Sequence, residues 1–461
     1  MQKNILILGD IFLDIFEITE LLKMSPERPV PVLKKIQNKK VLGGASNVAN
    51  NIKSIGGKPF LISKMANNKT YKEITDLLKK NQIKFKIVTN KNYSSSIKRR
   101  IVENNHQFCR IDDEEIKLLL ISDEKKIFKY IKKNINKFDA LILSDYSKGF
   151  LTKNLLEKTI NLFRSHKKKI FTDPKKQDLE FYKGSNFICP NIKEFNDFLE
   201  FEKINNNSKQ SIAKLFKKSK SDAFIITKGS KGISIIFKNK KKIDISQESV
   251  NIYDVTGAGD TFISFFSYLL TNDIDIINSL KIASKACIKI VQKKHTSVLN
   301  FDEFRYLISE YCDQNLINLD LKIKLWKIAQ FKIGITNGCF DILHSGHLEL
   351  FKKAKHLCDK LIVLINSDSS IKKLKGNKRP IIKLNKRIEL IRTINNIDDV
   401  VSFNQDTPLS LIQKINPDIL FKGSDYNERK VVGYNFIKKK GGKVKIIKKL
   451  SNFSTSKILN S

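Results

Sequence analysis

Short β-rich runs, Asn4 to Leu8, Ala140 to Leu143, Lys169 to Thr172, Phe187 to Cys189 and Ala223 to Thr227, several of them continuously apolar, alternate with stretches of helical character. A strand with one wet face alternates apolar and polar residues. A run that is apolar throughout suits a strand covered on both faces, as in a parallel sheet between layers of helix. The fold class read from this pattern is α/β. Two segments break the rhythm, Val30 to Asn38 and the charged stretch Tyr93 to Glu115, and they read as strands or lids laid over a site, in an order the pattern leaves open.

At 461 residues the chain is too long for one ordinary core. A polar, leucine-punctuated stretch, Asn315 to Gln330, holds the only tryptophan, Trp326, and beyond it the pattern starts afresh. A strand over Lys332 to Thr336 leads to a turn over Asn337 to Asp341, a helix from about Ser345 to Cys358 and a strand over Leu361 to Ile365. Strand, glycine loop, helix, strand is the opening of a nucleotide-binding βαβ unit. The expected division is a first domain over residues 1–314, a linker over 315–330 and a second domain over 331–461, without internal repeats.

Hydrophobic residues make up 41% of the chain and charged residues 29%, the balance of a soluble globular protein. No run approaches the roughly 20 apolar residues that cross a bilayer, and Met1 leads almost directly into the first strand, so neither a membrane partner nor a signal peptide is expected. The six cysteines are scattered with no CxxC pair, which fits a reducing cytoplasm. The formal net charge of +39 invites a nucleic-acid reading. The lysines, however, are spread through every segment among many Asn and Ile, as in the tracts Lys240 to Lys242 and Lys438 to Lys440, which reads as drift towards A/T-rich codons. No aromatic-interleaved RNA motif or helix-turn-helix accompanies them, and no nucleic-acid partner is expected. The charge still favours anionic substrates.

Two strings carry chemistry. In Asp254-Val255-Thr256-Gly257-Ala258-Gly259-Asp260-Thr261 the glycines expose successive N–H groups just before an apolar run, Phe262 to Leu270, long enough for a buried helix. Such a loop can hold a transferring phosphate, with Asp260 beside it to take a proton from an attacking hydroxyl. Taken alone, the string fits a glycine-rich turn with Asp260 as a helix cap equally well. Gly43-Gly44-Ala45-Ser46-Asn47 is a second close-approach loop, and Asn191-Ile192-Lys193-Glu194 and Thr227-Lys228-Gly229 each follow an apolar strand, where α/β proteins bind ligands. Together these residues resemble the ribokinase, or carbohydrate kinase, family over about 310 residues. The resemblance implies a Rossmann-like sheet with a small lid, Asp260 as catalytic base, Gly257, Ala258 and Gly259 as the anion hole, and Glu194 as a contributor to Mg²⁺ placement. It also puts Asn191, Thr227, Lys228 and Gly229 beside ATP, and Asp14, Gly43, Gly44 and Asn47 on sugar hydroxyls.

The second string is Gly338-Cys339-Phe340-Asp341-Ile342-Leu343-His344-Ser345-Gly346-His347. Two imidazoles three residues apart at a helix start can face one side and stabilise charge on an α-phosphate and a leaving pyrophosphate. A zinc site is the competing reading, although Cys339 and Cys358 lie at unusual ligand spacings; a capped helix with incidental histidines is another. No metal held by protein side chains alone is assigned. The string resembles the nucleotidyltransferase superfamily of cytidylyltransferase type, with support from Asn366-Ser367-Asp368, Lys375-Gly376, Arg379-Pro380, Lys422-Gly423-Ser424-Asp425-Tyr426 and Phe453-Ser454-Thr455-Ser456. That resemblance implies a Rossmann-like nucleotidyltransferase domain in which His344 and His347 are catalytic and Lys375, Ser454, Thr455 and Ser456 hold the triphosphate.

A kinase and a nucleotidyltransferase of these types, in this order, resemble the bifunctional heptose 7-phosphate kinase and heptose 1-phosphate adenylyltransferase family of lipopolysaccharide synthesis. The strings Ser25 to Val32, Ser144-Asp145-Tyr146-Ser147-Lys148-Gly149, Asp173-Pro174-Lys175 and Asp406-Thr407-Pro408 read the same way. The resemblance implies a cytoplasmic enzyme using ATP and Mg²⁺ that phosphorylates D-glycero-β-D-manno-heptose 7-phosphate at O1 and joins heptose 1-phosphate to AMP; a homodimer is the expected assembly. Ser456 stands where the family usually has Thr, and Ser424 where a second Gly is usual. Arg99, Arg100 and Arg110 are the cations, by charge alone, for the 7-phosphate. The same chemistries on another sugar or polyol phosphate, or a basic nucleic-acid-binding protein on an enzyme scaffold, are the rival readings.

Overall fold

The computed structural model describes residues 2–104, 106–204, 209–239, 241–247, 250, 254–293, 298–424 and 426–448. The chain separates into two compact units, Met1–Tyr311 and Cys312–Ser461.

In the first unit nine strands form one sheet, in the order Lys242–Ile245, Ile233–Phe237, Ala223–Thr227, Phe187–Ile188, Lys169–Asp173, Ala140–Ser144, Asn4–Gly9, Lys58–Met65, Lys84–Thr89. Neighbours are parallel, except around Ile233–Phe237, which is antiparallel to both its neighbours. The continuous apolar runs are here because both faces are covered: Ile5 to Leu8 and Ala140 to Leu143 are all fully buried. Leu6, Leu8, Leu141 and Leu143 point into one core with Ile127 and Ile131 of the helix Ile121–Asn134 and Leu155 and Leu156 of the helix Lys153–Ser165. Against the sheet lies the helix Ala258–Thr271, buried at every residue from Asp260 onward. Its Phe266 meets Phe171 and Phe187 edge-on at 5.4 and 5.5 Å.

The segments that break the sequence rhythm form a separate four-stranded sheet, in the order Pro31–Gly44, Ile11–Met24, Ser96–Glu103, His106–Asp113. Ile11–Met24 is antiparallel to Pro31–Gly44 and parallel to Ser96–Glu103. It follows the first strand of the large sheet after the single residue Asp10, so the small sheet is rooted where that strand ends.

The second unit has five parallel strands in the order Asp399–Phe403, Lys360–Asn366, Ile333–Gly338, Ile419–Gly423, Lys443–Ile447. Counted along the chain this is 3-2-1-4-5, with its crevice between the ends of Ile333–Gly338 and Ile419–Gly423. The stretch 315–330 carries the helix Leu319–Ile328, capped by Asn318 and burying Ile323, Leu325 and Trp326. All six cysteines are free thiols. No described helix is long and apolar enough to cross a membrane.

Close approach at the root of the first sheet is set by Gly9: a Cβ there would lie 2.2 Å from the carbonyl oxygen of Ser144 and 2.8 Å from the Ala45 Cβ. Gly9→Ala is expected to force strand 4–9 away from strand 140–144 and to lower stability by about 1–3 kcal/mol, read as a lower urea midpoint for the first unit.

Candidate active sites

The helix Ala258–Thr271 starts after Gly257, whose φ of 82° needs glycine. At Gly259 a Cβ would meet nothing within 4 Å, so the backbone there faces open space. First-turn N–H groups and the helix dipole make this opening suitable for an anion. Asp260 is buried in that first turn. Its Oδ2 accepts from Asn47 Nδ2 at 2.7 Å and its Oδ1 from the Tyr146 hydroxyl at 2.8 Å. Burial pushes its pKa up to about 6, with the Asp14 charge adding to the rise and the two hydrogen bonds and Lys98 opposing it.

Asp14 is buried and ion-paired with Arg100. Burial still raises its pKa against the pull of Arg100, Lys98 and Arg110. Gly43 lies opposite Phe12 in the small sheet, where a Cβ would come within 2.3 Å of the Phe12 ring and 2.6 Å of Asp14 Oδ2. Gly44 has φ 61° and begins the helix that carries Asn47. The fold thus brings Asp14, Gly43, Gly44, Asn47 and Asp260 to one place. Lys98 hangs over the Phe12 ring at 4.3 Å and pairs with Glu114 at 3.4 Å; Lys148 pairs with the same glutamate. Of the three arginines singled out by charge, Arg100 is buried at Asp14, Arg99 is exposed, and Arg110 pairs with Asp112 at 2.9 Å.

Thr227, Gly229, Ala258 and Gly259 line one largely apolar cavity with Val255, Phe262 and Val291. Lys228 is at its edge in sequence and pairs with Asp244 at 3.2 Å. Asn191 and Glu194 form a capping box for the helix Ile192–Phe201: Asn191 Oδ1 accepts from Glu194 N at 2.9 Å, and Glu194 Oε2 from Asn191 N at 3.0 Å. The second Glu194 oxygen accepts from Lys175 Nζ at 3.1 Å. Asp173, at the end of its strand, has its pKa pushed well up by burial and then by Glu194 and Asp260. This excess of negative charge suits a cation brought in with a ligand; among the described residues no three or more His, Cys, Asp or Glu converge on a metal position.

In the second unit the strand Ile333–Gly338 ends in an irregular turn, with Phe340 at φ 47°, before the helix Ser345–Lys355. His344 and His347 stack with ring centroids 3.8 Å apart, and Phe340 packs edge-on against His347 at 5.0 Å. Lys422, from the neighbouring strand across the crevice, donates to the Asn337 carbonyl at 2.9 Å and covers the Tyr426 ring at 4.5 Å. Burial lowers its pKa to about 8. Asp341 accepts from Arg379 at 2.8 Å and from Ile381 N at 2.7 Å. Fully buried Arg387 donates to the carbonyls of Cys339, Asn366 and Ile382 and to Asp368. Lys375 ends the helix Asp368–Lys375 and is exposed. Ser454, Thr455 and Ser456 lie outside the described residues.

Sequence reasoning assigned no role to Tyr146, Lys175, Arg387 or Lys422. Tyr146, Lys175 and Lys422 sit inside strings that were recognisable, but nothing local says that a phenol will reach a carboxylate 114 residues away. Arg387 has no string around it at all.

Residues 2–301 match the family described as pfkB family carbohydrate kinase, and residues 335–460 the one described as cytidylyltransferase-like. The first unit is similar in fold to phosphofructokinase-2 from Escherichia coli, with TM-score 0.55 and 14% identity over 68% of this chain and 99% of that one. It is likewise similar to ribokinase from Giardia lamblia, with TM-score 0.54 and 18% identity over 68% of this chain and 100% of that one. The chain is therefore a ribokinase-like carbohydrate kinase followed by a cytidylyltransferase-like Rossmann unit. It is 36% identical over 99% of its length to the bifunctional protein HldE of Campylobacter jejuni, 97% of which is covered, and 36% identical over 95% of its length to that of Helicobacter pylori, 94% covered. It belongs to the bifunctional HldE family.

Because a side chain at position 43 would displace both Phe12 and Asp14, Gly43→Ala is expected to lower kcat/KM for the sugar in the kinase reaction by at least about tenfold, a loss of roughly 1.4 kcal/mol of transition-state binding. Nucleotidyl transfer by the same preparation should stay unchanged.

Proposed function

We propose that the chain carries out both ATP-dependent steps around heptose 1-phosphate formation: transfer of the γ-phosphate of ATP to O1 of D-glycero-β-D-manno-heptose 7-phosphate, and adenylyl transfer from a second ATP to heptose 1-phosphate, giving ADP-heptose and pyrophosphate. Release of the 7-phosphate in between belongs to a separate hydrolytic enzyme. The observation that carries the reading is the buried Asp260 at a glycine-led helix start, within hydrogen-bond reach of Asn47 and beside Asp14, in a chain that aligns with HldE proteins over nearly its whole length.

In the first unit Asp14 and Asn47 orient the sugar, and Asp260 takes the O1 proton as the new O–P bond forms and ADP departs. Gly257, Ala258 and Gly259 present N–H groups to the transferring phosphoryl group, whose negative charge they stabilise. Thr227, Lys228 and Gly229 border the nucleotide, with Asn191 behind them. Mg²⁺ bound with the triphosphate would neutralise its charge, and Glu194 and Asp173 are the carboxylates that would help to hold it. In the second unit a sugar phosphate oxygen attacks the α-phosphorus and pyrophosphate leaves. His344, His347, Lys375 and Lys422 supply positive charge and donors there, together with Ser454, Thr455 and Ser456.

The functional division is residues 1–314 for the kinase and 331–461 for the nucleotidyltransferase. The assembly is a homodimer, supported by the apolar residues that the small sheet leaves exposed, among them Leu21, Leu22, Met24 and Ile36. The free thiols support a cytoplasmic setting, and the absence of an RNA-type motif supports small molecules as the partners of this basic chain.

Purified protein with ATP, Mg²⁺ and heptose 7-phosphate should yield ADP and the 1,7-bisphosphate. Asp260→Asn should reduce this at least about 10³-fold, while His347→Ala should spare it and abolish pyrophosphate release with heptose 1-phosphate. Turnover of fructose or ribose phosphates in place of heptose 7-phosphate would reassign the substrate. A base that titrates near 6 is protonated below that pH, so kcat/KM for the sugar in the kinase step should fall tenfold per unit below about pH 6 and be flat above it.

A further inference from the structure

We infer that Tyr146 is a positioning residue for the kinase base: its hydroxyl holds Asp260 in one orientation and favours the ionised carboxylate, so that it extends sugar phosphorylation to lower pH. The inference rests on the reading of Asp260 as the base.

The Tyr146 hydroxyl donates to Asp260 Oδ1 at 2.8 Å while Asn47 fills Oδ2 at 2.7 Å, so both oxygens are fixed before a sugar arrives. Each carboxylate oxygen has a second acceptor position, which leaves room for the sugar hydroxyl. The phenol cannot easily act as an acid or base itself, because burial, with Asp260 and then Asp173 nearby, holds its proton well above the usual tyrosine range. It is a permanent donor. The ring is held as firmly as the hydroxyl. Phe12 packs edge-on against it at 5.1 Å, and the backbone N–H groups of Tyr146, Lys148 and Phe150 all donate to the buried carboxylate of Asp10, at 3.2, 3.0 and 3.0 Å. The other charges facing Asp260 are Asp14 and Lys98 from the small sheet and Asp173 from the large one. Asp14 opposes ionisation, and Lys98 is the cation that favours it; Asp173, whose own pKa burial pushes well up, takes the proton more readily than Asp260 does. Without the phenol, Asn47 would be the one remaining side-chain donor among the groups that lower the pKa of Asp260.

The test is the pH profile of kcat/KM for the sugar phosphate, between pH 5 and 9 at saturating ATP and Mg²⁺, for the full-length wild type and Tyr146→Phe. The expected result is an acid limb moved up by about one pH unit, so that activity falls about fivefold at pH 6 and about ninefold at pH 5 and returns to within about threefold of wild type at pH 9. A purely structural role would lower the rate by one factor at every pH, and that outcome, or an unmoved limb, overturns the inference. Replacing Tyr146 by 3-fluorotyrosine keeps the ring and strengthens the donor; it should move the limb down, and an upward or absent shift counts against the proposal. This second variant decides the matter if Tyr146→Phe does not fold, which the melting transition of the first unit reports. If heptose 7-phosphate is not the substrate, the same series on whichever sugar phosphate is turned over tests the Tyr146–Asp260 pair unchanged, so the two readings fail separately.

Discussion

The carboxylate of Asp10, buried where the first strand leaves the large sheet, organises the kinase unit. It accepts three backbone N–H groups from the loop that follows strand 140–144, which would otherwise be irregular backbone without partners of its own. Those bonds fix the loop whose tyrosine reaches Asp260. They are possible only because Gly9 lets the two strands meet without a Cβ between them, and because Gly149, at φ 89°, lets the loop pass the Lys117 carbonyl. Burial raises the pKa of Asp10 even so, with Asp145 adding to the rise and the three N–H groups lowering it. The cost of burying a charge here is offset by order at a point where two sheets and two active-site loops meet.

The second unit solves a related problem with the opposite charge. The turn between strand 333–338 and helix 345–355 has few backbone partners of its own, and the guanidinium of Arg387 supplies donors to carbonyls from three different segments, Cys339, Ile382 and Asn366. Asp341 meanwhile gathers N–H groups and Arg379 from the loop that follows helix 368–375. The guanidinium's planar fork of five N–H donors can brace several carbonyls at once in fixed directions, which the three rotating donors of a lysine match poorly. The histidine pair therefore follows a braced turn, and Lys422, from the strand across the crevice, holds the Asn337 carbonyl where that turn begins.

Much of this was legible in the sequence because its physical causes are local. Runs buried on both faces must be apolar throughout, so the parallel strands announce themselves; Gly257 and Gly44 mark positive φ, so the close-approach loops do too. The pairing of the small sheet is not local: Ile11–Met24 pairs with a near neighbour on one edge and with residues 96–103 on the other, and nothing in its own residues specifies the second partner. Polarity marks 315–330 as a stretch where one pattern gives way to another, but says little of its helix, whose inward residues are only Ile323, Leu325 and Trp326. The donors to Asp260 come from positions 47 and 146, and only folding brings them together.

The two sites share a geometry, the carboxyl ends of strands at a reversal of winding, and differ in their charged groups for a reason that lies in the nucleophiles. A sugar hydroxyl holds its proton far above neutral pH and must lose it as it attacks, so a sugar kinase site needs a carboxylate able to accept one; burial raises the pKa of Asp260, the proposed base, to about 6, close to where a base works best. A sugar phosphate is already largely ionised at neutral pH, its second pKa being about 6. It needs no base. What impedes its attack is repulsion between two anions, and against that the site proposed in the second unit sets imidazoles, a helix start and a lysine whose pKa of about 8 would rise as an anion enters. Buried acid in one unit and buried cation in the other follow from the same rule, that each site supplies the charge its incoming group lacks.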